Sequence, residues 1–129
     1  MVCTLGTFTF HFSDVPASEG RDSAMHYNET VAEAMRAHPG QVWASGAVPL
    51  TDVDMAIEVL DHAINDLGLI DVDLPGSVGG EGQIDAEYLE PFYDRAEELG
   101  IPLILHPSDS VFKKMLDGYN GAMYLSLGR

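Results

Sequence analysis

The chain has 129 residues, 46% of them apolar and 21% charged, which suits one compact domain spanning residues 1–129 and excludes a disordered or fibrous chain. Its formal net charge is −15, and Ala37 to Asp94 holds twelve acidic residues without a Lys or Arg. Such a surface repels a phosphate backbone or an anionic leaflet, so neither nucleic acid nor a membrane is an expected partner. The single cysteine, Cys3, excludes an internal disulfide framework, and no run reaches the roughly 20 apolar residues of a membrane span. With no basic leader in Met1 to Phe10, the expected location is cytoplasmic.

Val2 to Phe10 alternates polar with apolar residues and reads as a strand, followed by a loop over His11 to Asp22. Ser23 is the expected cap of a helix through Met25, Val31, Ala32, Ala34 and Met35, which His38-Pro39-Gly40 stops. Val42 to Val48 is short and largely apolar, suiting a strand buried on both faces. From Asp52 to Leu67, Val53, Ala56, Leu60, Ala63, Ile64 and Leu67 recur at helical spacing. Thr51 or Asp52 caps that helix and Gly68 closes it. Leu69 to Leu74 forms the next strand and runs into the glycine-rich loop Pro75 to Gln83. Asp85 opens a third helical region, with Pro91 in its first turn and Tyr88, Phe92, Ala96 and Leu99 on one face. After Gly100, Ile101 to Pro107 reads as a strand with a proline at each margin.

Strand and helix thus alternate with short links, which predicts an α/β fold of right-handed βαβ crossovers on a parallel sheet. A closed (β/α)8 barrel needs about 250 residues, so this length supplies roughly half of one. The ending in Met123 to Arg129, apolar and without a polar tail, fits a central fragment of a longer domain.

In parallel α/β folds the reactive groups gather at the carboxyl ends of strands. His106 ends an apolar strand there, and a neutral imidazole suits a transition metal such as zinc; a histidine that caps a strand and bonds nearby backbone would look the same. His11, His26, His38 and His62 read as loop or helix-surface residues. Gly76 to Gly82 lacks the Gly-Lys-Ser or Gly-Lys-Thr ending of a phosphate loop. Ser108 and Asp109 are only sequence neighbours of His106, and Cys3 reads as a small buried residue.

Several short motifs keep one order and spacing: Tyr27-Asn28, His38-Pro39-Gly40, Ala47-Val48-Pro49-Leu50-Thr51-Asp52, Leu67-Gly68-Leu69, Ile84-Asp85, Pro91-Phe92, Ala96 to Pro102 and Leu105-His106-Pro107. Together, from Tyr27 to Pro107, they resemble the amidohydrolase-related metal-dependent decarboxylases, such as the aminocarboxymuconate-semialdehyde, resorcylate and carboxyvanillate decarboxylases. The resemblance implies a partial (β/α)8 TIM barrel of the metal-dependent hydrolase type. It also implies a divalent metal, zinc or manganese, and non-oxidative decarboxylation of a small carboxylated substrate; some relatives hydrolyse instead. His106 matches the mid-barrel metal histidine of that family, and Leu74, Pro75, Gly76 and Ser77 match a loop that shapes its pocket, although a plain connector would read alike. The His-x-His or Glu-x-His pair of the first strand, the late aspartate ligand and a second downstream histidine are absent. One imidazole binds a divalent ion weakly, so the metal site is expected to be incomplete and the chain alone inactive. A non-catalytic α/β binding or scaffold domain is the alternative of another class, and exposed sheet edges make a homo-oligomer possible under either.

Overall fold

The computed structural model describes residues 2–3, 15–75, 78 and 84–106. Within them strand and helix alternate as β1 (Val2–Cys3), α1 (Ala17–Ala37), β2 (Trp43–Ala44), β3 (Gly46–Ala47), α2 (Val53–Asp61), β4 (Val72–Pro75), α3 (Glu90–Leu99) and β5 (Leu103–His106). Every described pairing is parallel, β1 with β2 and β3–β4–β5 in that order. The strand expected over Val2 to Phe10 is described only at Val2–Cys3, and the one expected over Val42 to Val48 is two short pieces on either side of Ser45.

Helix α1 starts at Ala17, so Ser23 is an interior residue and not a cap. The start is set by Pro16, whose extended backbone (φ −52°, ψ 143°) leaves its carbonyl to accept from the N–H groups of Glu19 and Gly20. Proline with a first-turn carboxylate is a favourable helix entrance, which the turn-forming residues beside it obscure. Gly20, Ala24, Tyr27, Asn28, Val31 and Ala32 form its buried face.

Asn28 is the polar member of that face, fully buried, and its amide completes β3. In a parallel ladder alternate residues turn their N–H and C=O to opposite neighbours. Gly46 donates to the Asp71 carbonyl on the β4 side at 2.9 Å. Ala47 faces away from β4, and there its N–H donates to Asn28 Oδ1 at 2.8 Å while its carbonyl accepts from Asn28 Nδ2 at 3.0 Å. One side chain therefore does what a further strand would do. Gly46 leaves room for Leu69 and Val72: a Cβ there would lie 3.2 Å from Leu69 Cδ1 and Val72 Cγ1 and 3.4 Å from Asn28 Oδ1.

Asp52 caps α2, its side chain accepting from the Met55 N–H at 3.0 Å. The expected uninterrupted helix instead widens after Asp61 into a π turn, His62–Asp66, in which the Leu67 N–H reaches the His62 carbonyl at 3.1 Å. Gly68 then leaves the helix with φ +74°. Val59 joins Ala56, Leu60 and Ala63 in the core because α2 packs against both α1 and α3, which broadens its buried arc. Before α3 a 3-10 turn, Glu87–Leu89, breaks the helical period. Leu89, Phe92 and Ala96 consequently point inward, whereas Tyr88 is 46% exposed. Gly100 ends α3 with φ +64°.

Two arginines strap the helices together. Arg21 on α1 donates to Glu58 on α2, with Nε 2.7 Å from Oε2, and Arg95 on α3 donates to Asp61 on α2, with Nε 2.8 Å from Oδ1.

Replacing Asn28 by Ala leaves the Ala47 N–H and C=O buried without partners and is expected to destabilise the fold by about 2–4 kcal/mol, read from urea unfolding at unchanged m-value. The Arg21 guanidinium, chiefly through its hydrogen bond, holds the Glu58 carboxyl below its usual range. A lowered folded-state pKa stabilises above the unfolded value, about 4.3, and the effect is lost as pH falls through the folded value. The Tm difference between the native chain and Glu58→Gln should therefore be present at neutral pH and shrink as the pH is lowered through the carboxylate range.

Candidate functional site

The register sorts side chains onto two faces of the β3–β4–β5 sheet. Gly46 pairs with Val72 and faces Asn28, so Gly46, Val72 and its partner Leu103, with Leu74 and its partner Leu105, belong to the side covered by helices. Alternation puts Ala47, Asp73 and Ile104 in one row of the opposite face, with Pro75 in the next row toward the strand ends. His106 stands at the C-terminal end of β5, its backbone paired with Pro75 of β4.

That face is polar where it is most buried. Asp73 is 1% exposed, and Ser45 and Asp71, which directly precede Gly46 and Val72, are buried too. Among the described residues the Ser45 hydroxyl and Asp71 Oδ1 have no hydrogen-bond partner. Sequence reasoning treated Leu69 to Leu74 as a strand and passed over these carboxylates. The signal was present: acidic residues at every second position, 71 and 73, of an otherwise apolar strand mark one face.

The expected pocket residues divide between the two faces. Leu74 is 3% exposed and packs in the hydrophobic core, so only its backbone can border a ligand. Pro75 is half-buried on the polar face, while Gly76 and Ser77 lie outside the described residues, as do His11, Ser108 and Asp109. His26 and His38 are exposed as expected. His62 is part-buried, its Nδ1 2.8 Å from Asp66 Oδ2 and its Nε2 4.0 Å from Glu29 Oε1.

Two phenols secure the segments near the strand ends. Tyr88 donates to the carbonyl of Leu50, just beyond β3, at 2.9 Å, and Tyr93 donates to the carbonyl of Ile84. Burial raises both phenol pKa values, with the carboxylates of Asp85 and Glu90 adding to the shift of Tyr93. Both hydroxyls therefore remain protonated donors at neutral pH.

A divalent cation needs several converging donors, and among the described residues no group of three His, Cys, Asp or Glu side chains could hold one. A histidine at the end of β5 and a buried carboxylate on β4 are residue types that suit such a cation. No described helix is long and apolar enough to cross a membrane.

A family model described as amidohydrolase matches residues 11–123. The chain belongs to the amidohydrolase family. It is 36% identical over 89 residues to the gamma-resorcylate decarboxylase of Rhizobium sp. (strain MTP-10005), a match covering 65% of this chain and 27% of that protein. Over 98 residues it is 26% identical to the 2-amino-3-carboxymuconate-6-semialdehyde decarboxylase of Dictyostelium discoideum, covering 76% of this chain and 27% of that one. Its fold superimposes on the crystal structure of a dihydroxybenzoic acid decarboxylase from Polaromonas sp. JS666, which contains manganese and the inhibitor 2-nitroresorcinol, with a TM-score of 0.75 and 19% identity over 95% of this chain and 35% of that one. The parallel βα units are thus part of a TIM barrel of the amidohydrolase type. The chain spans about 27% of the length of these curated relatives.

Proposed function

We propose that this chain carries the central βα units of a metal-dependent decarboxylase, which removes carbon dioxide without an oxidant from a small carboxylic acid of aromatic or muconate-like type. The observation that carries this reading is the pairing of Pro75 with His106. A histidine at the carboxyl end of a parallel strand supports the reading, since barrel enzymes assemble their sites at that end. The names of the sequence relatives support decarboxylation in particular.

In this reading His106 contributes one neutral nitrogen donor to a divalent cation, zinc or manganese. Such a cation, when bound, supplies positive charge that orients the substrate carboxylate. Pro75, Gly76 and Ser77, with the backbone of Leu74, border the carboxylated substrate. The fixed Tyr88 and Tyr93 contacts hold the neighbouring segments, so the mouth keeps its shape. The replacement of carbon dioxide by a proton requires an acid, a role we assign to no described residue.

The chain alone is inactive in this reading, a single-domain portion of a longer cytoplasmic barrel. Leu105, 55% exposed on the helix-side face of β5, supports self-association or cover by a further element. The amidohydrolase family match favours a second reading, hydrolysis by the complete protein, which release of a hydrolysed product and no carbon dioxide would establish.

Manganese and zinc titrations of the purified chain and of His106→Ala, followed by calorimetry, test the assignment. Weak binding that the substitution reduces at least several-fold is expected. Tight stoichiometric binding would contradict an incomplete site, and binding indifferent to the substitution would remove His106 from it.

A further inference from the structure

We infer that Ser45 and Asp71 form a cation site apart from the strand ends, in which the serine hydroxyl and the aspartate carboxylate together hold a small monovalent cation of sodium's size between β3 and β4. The inference does not depend on the reading of His106 as a metal ligand.

The placement follows from backbone pairing. Gly46 pairs with Val72 and donates its N–H to the Asp71 carbonyl at 2.9 Å, so Ser45 and Asp71, the residues directly before that pair, sit opposite each other on neighbouring segments. Neighbouring strands run roughly 4.8 Å apart, a gap that one ion with an oxygen on each side can bridge. Alternation turns both residues to the face opposite Gly46 and Val72. The surroundings offer no other donor: Pro102, beside Asp71 on the β5 side, has no N–H, and Ala47 and Ile104 in the next row have apolar side chains.

Burial supplies the second observation. Ser45 is 0% exposed and Asp71 6%, and among the described residues neither the Ser45 hydroxyl nor Asp71 Oδ1 has a hydrogen-bond partner. Buried polar groups without partners are uncommon, and buried charges are paired or coordinate a metal. The described arginines are placed elsewhere: Arg21 pairs with Asp22 and Glu58, Arg95 with Asp61 and Glu98, and Arg36 is exposed in the last turn of α1. A bridging water would satisfy both oxygens and leave the carboxylate charge uncompensated. A monovalent cation cancels that charge, whereas a dication on one carboxylate leaves a positive charge in excess. Carboxylate and hydroxyl oxygens are hard donors, which favour an ion of the sodium kind over zinc or copper. Asp73, one row toward the strand ends, has an interaction of its own and is not a donor in this site. Bound there, the ion ties β3 to β4 just before their first paired residues.

The test is urea unfolding of the full chain at neutral pH in sodium chloride and in choline chloride of equal ionic strength, so that screening is common to both. The midpoint should be higher in sodium. That gain should be lost in Ser45→Ala and in Asp71→Asn, and kept in Asp54→Asn, an exposed substitution on α2. If Asp71→Asn fails to fold, Ser45→Ala, which removes one uncharged oxygen, decides alone. Sodium-23 linewidths give a second reading on the folded protein: the native chain should broaden the signal more than Ser45→Ala does. Equal midpoints in the two salts overturn the inference, as does a sodium gain that survives Ser45→Ala. A gain that Asp54→Asn also removes shows surface charge at work and overturns it too. Stabilisation by magnesium that exceeds that by sodium and depends on Ser45 would overturn the monovalent assignment.

Discussion

Register is the constraint on which the rest of this molecule depends. Side chains of a strand alternate strictly between faces, so a slip of one residue between β3, β4 and β5 would bury Val72 and Leu74 where Asp73 and Pro75 now stand, and turn the carboxylates into the helices. What holds the sheet against such a slip is not its own length, for β3 is two residues long. It is the Asn28 amide, which grips both polar groups of Ala47 and ties the strand to α1 at one position. A side chain at Gly46 would press on Leu69 and Val72.

From that register the two faces acquire different chemistry. The helix side is a continuous apolar core of Leu60, Val59, Val72, Leu89 and Phe92, the material expected between a parallel sheet and its crossover helices. The opposite side carries Ser45, Asp71 and Asp73, polar groups that an ordinary core would exclude. The outer charge has another origin. Only six basic residues face 21 acidic ones, and Arg21 and Arg95 are both spent joining helix to helix, which leaves most carboxylates to solvent.

The α/β alternation was legible in the sequence because its punctuation is chemical. Gly68 and Gly100 adopt the left-handed conformation that ends a helix, Asp52 caps the next one, and Pro91 sits in a first turn. Where punctuation is ambiguous, the reading failed. Ser, Gly and Asp beside Pro16 suggest a loop and yet open α1, and nothing in the composition of His62 to Asp66 announces a π turn, since the extra residue is accommodated by packing and not by propensity. Tyr88 left the expected face because a 3-10 turn shifts the phase. Of the proposed site, His106 is legible as a polar residue closing an apolar strand. The burial of Asp73 is less legible, because it depends on which face of β4 the register turns inward. The family resemblance over Tyr27 to Pro107 agrees with the match to residues 11–123 and with relatives named as decarboxylases.

The central claim, that the strand ends on the polar face form the cation-seeking part of the molecule, is open to one direct measurement. Manganese added well below stoichiometry broadens nuclear resonances steeply with proximity, so amide spectra of the full chain locate it. Broadening should concentrate at Leu74, Ile104 and His106 and spare the acidic outer stripe of α2 at Asp54 and Glu58. Broadening centred on that stripe, with the ends of β4 and β5 untouched, would show that the cation responds to surface charge alone and would contradict the assignment.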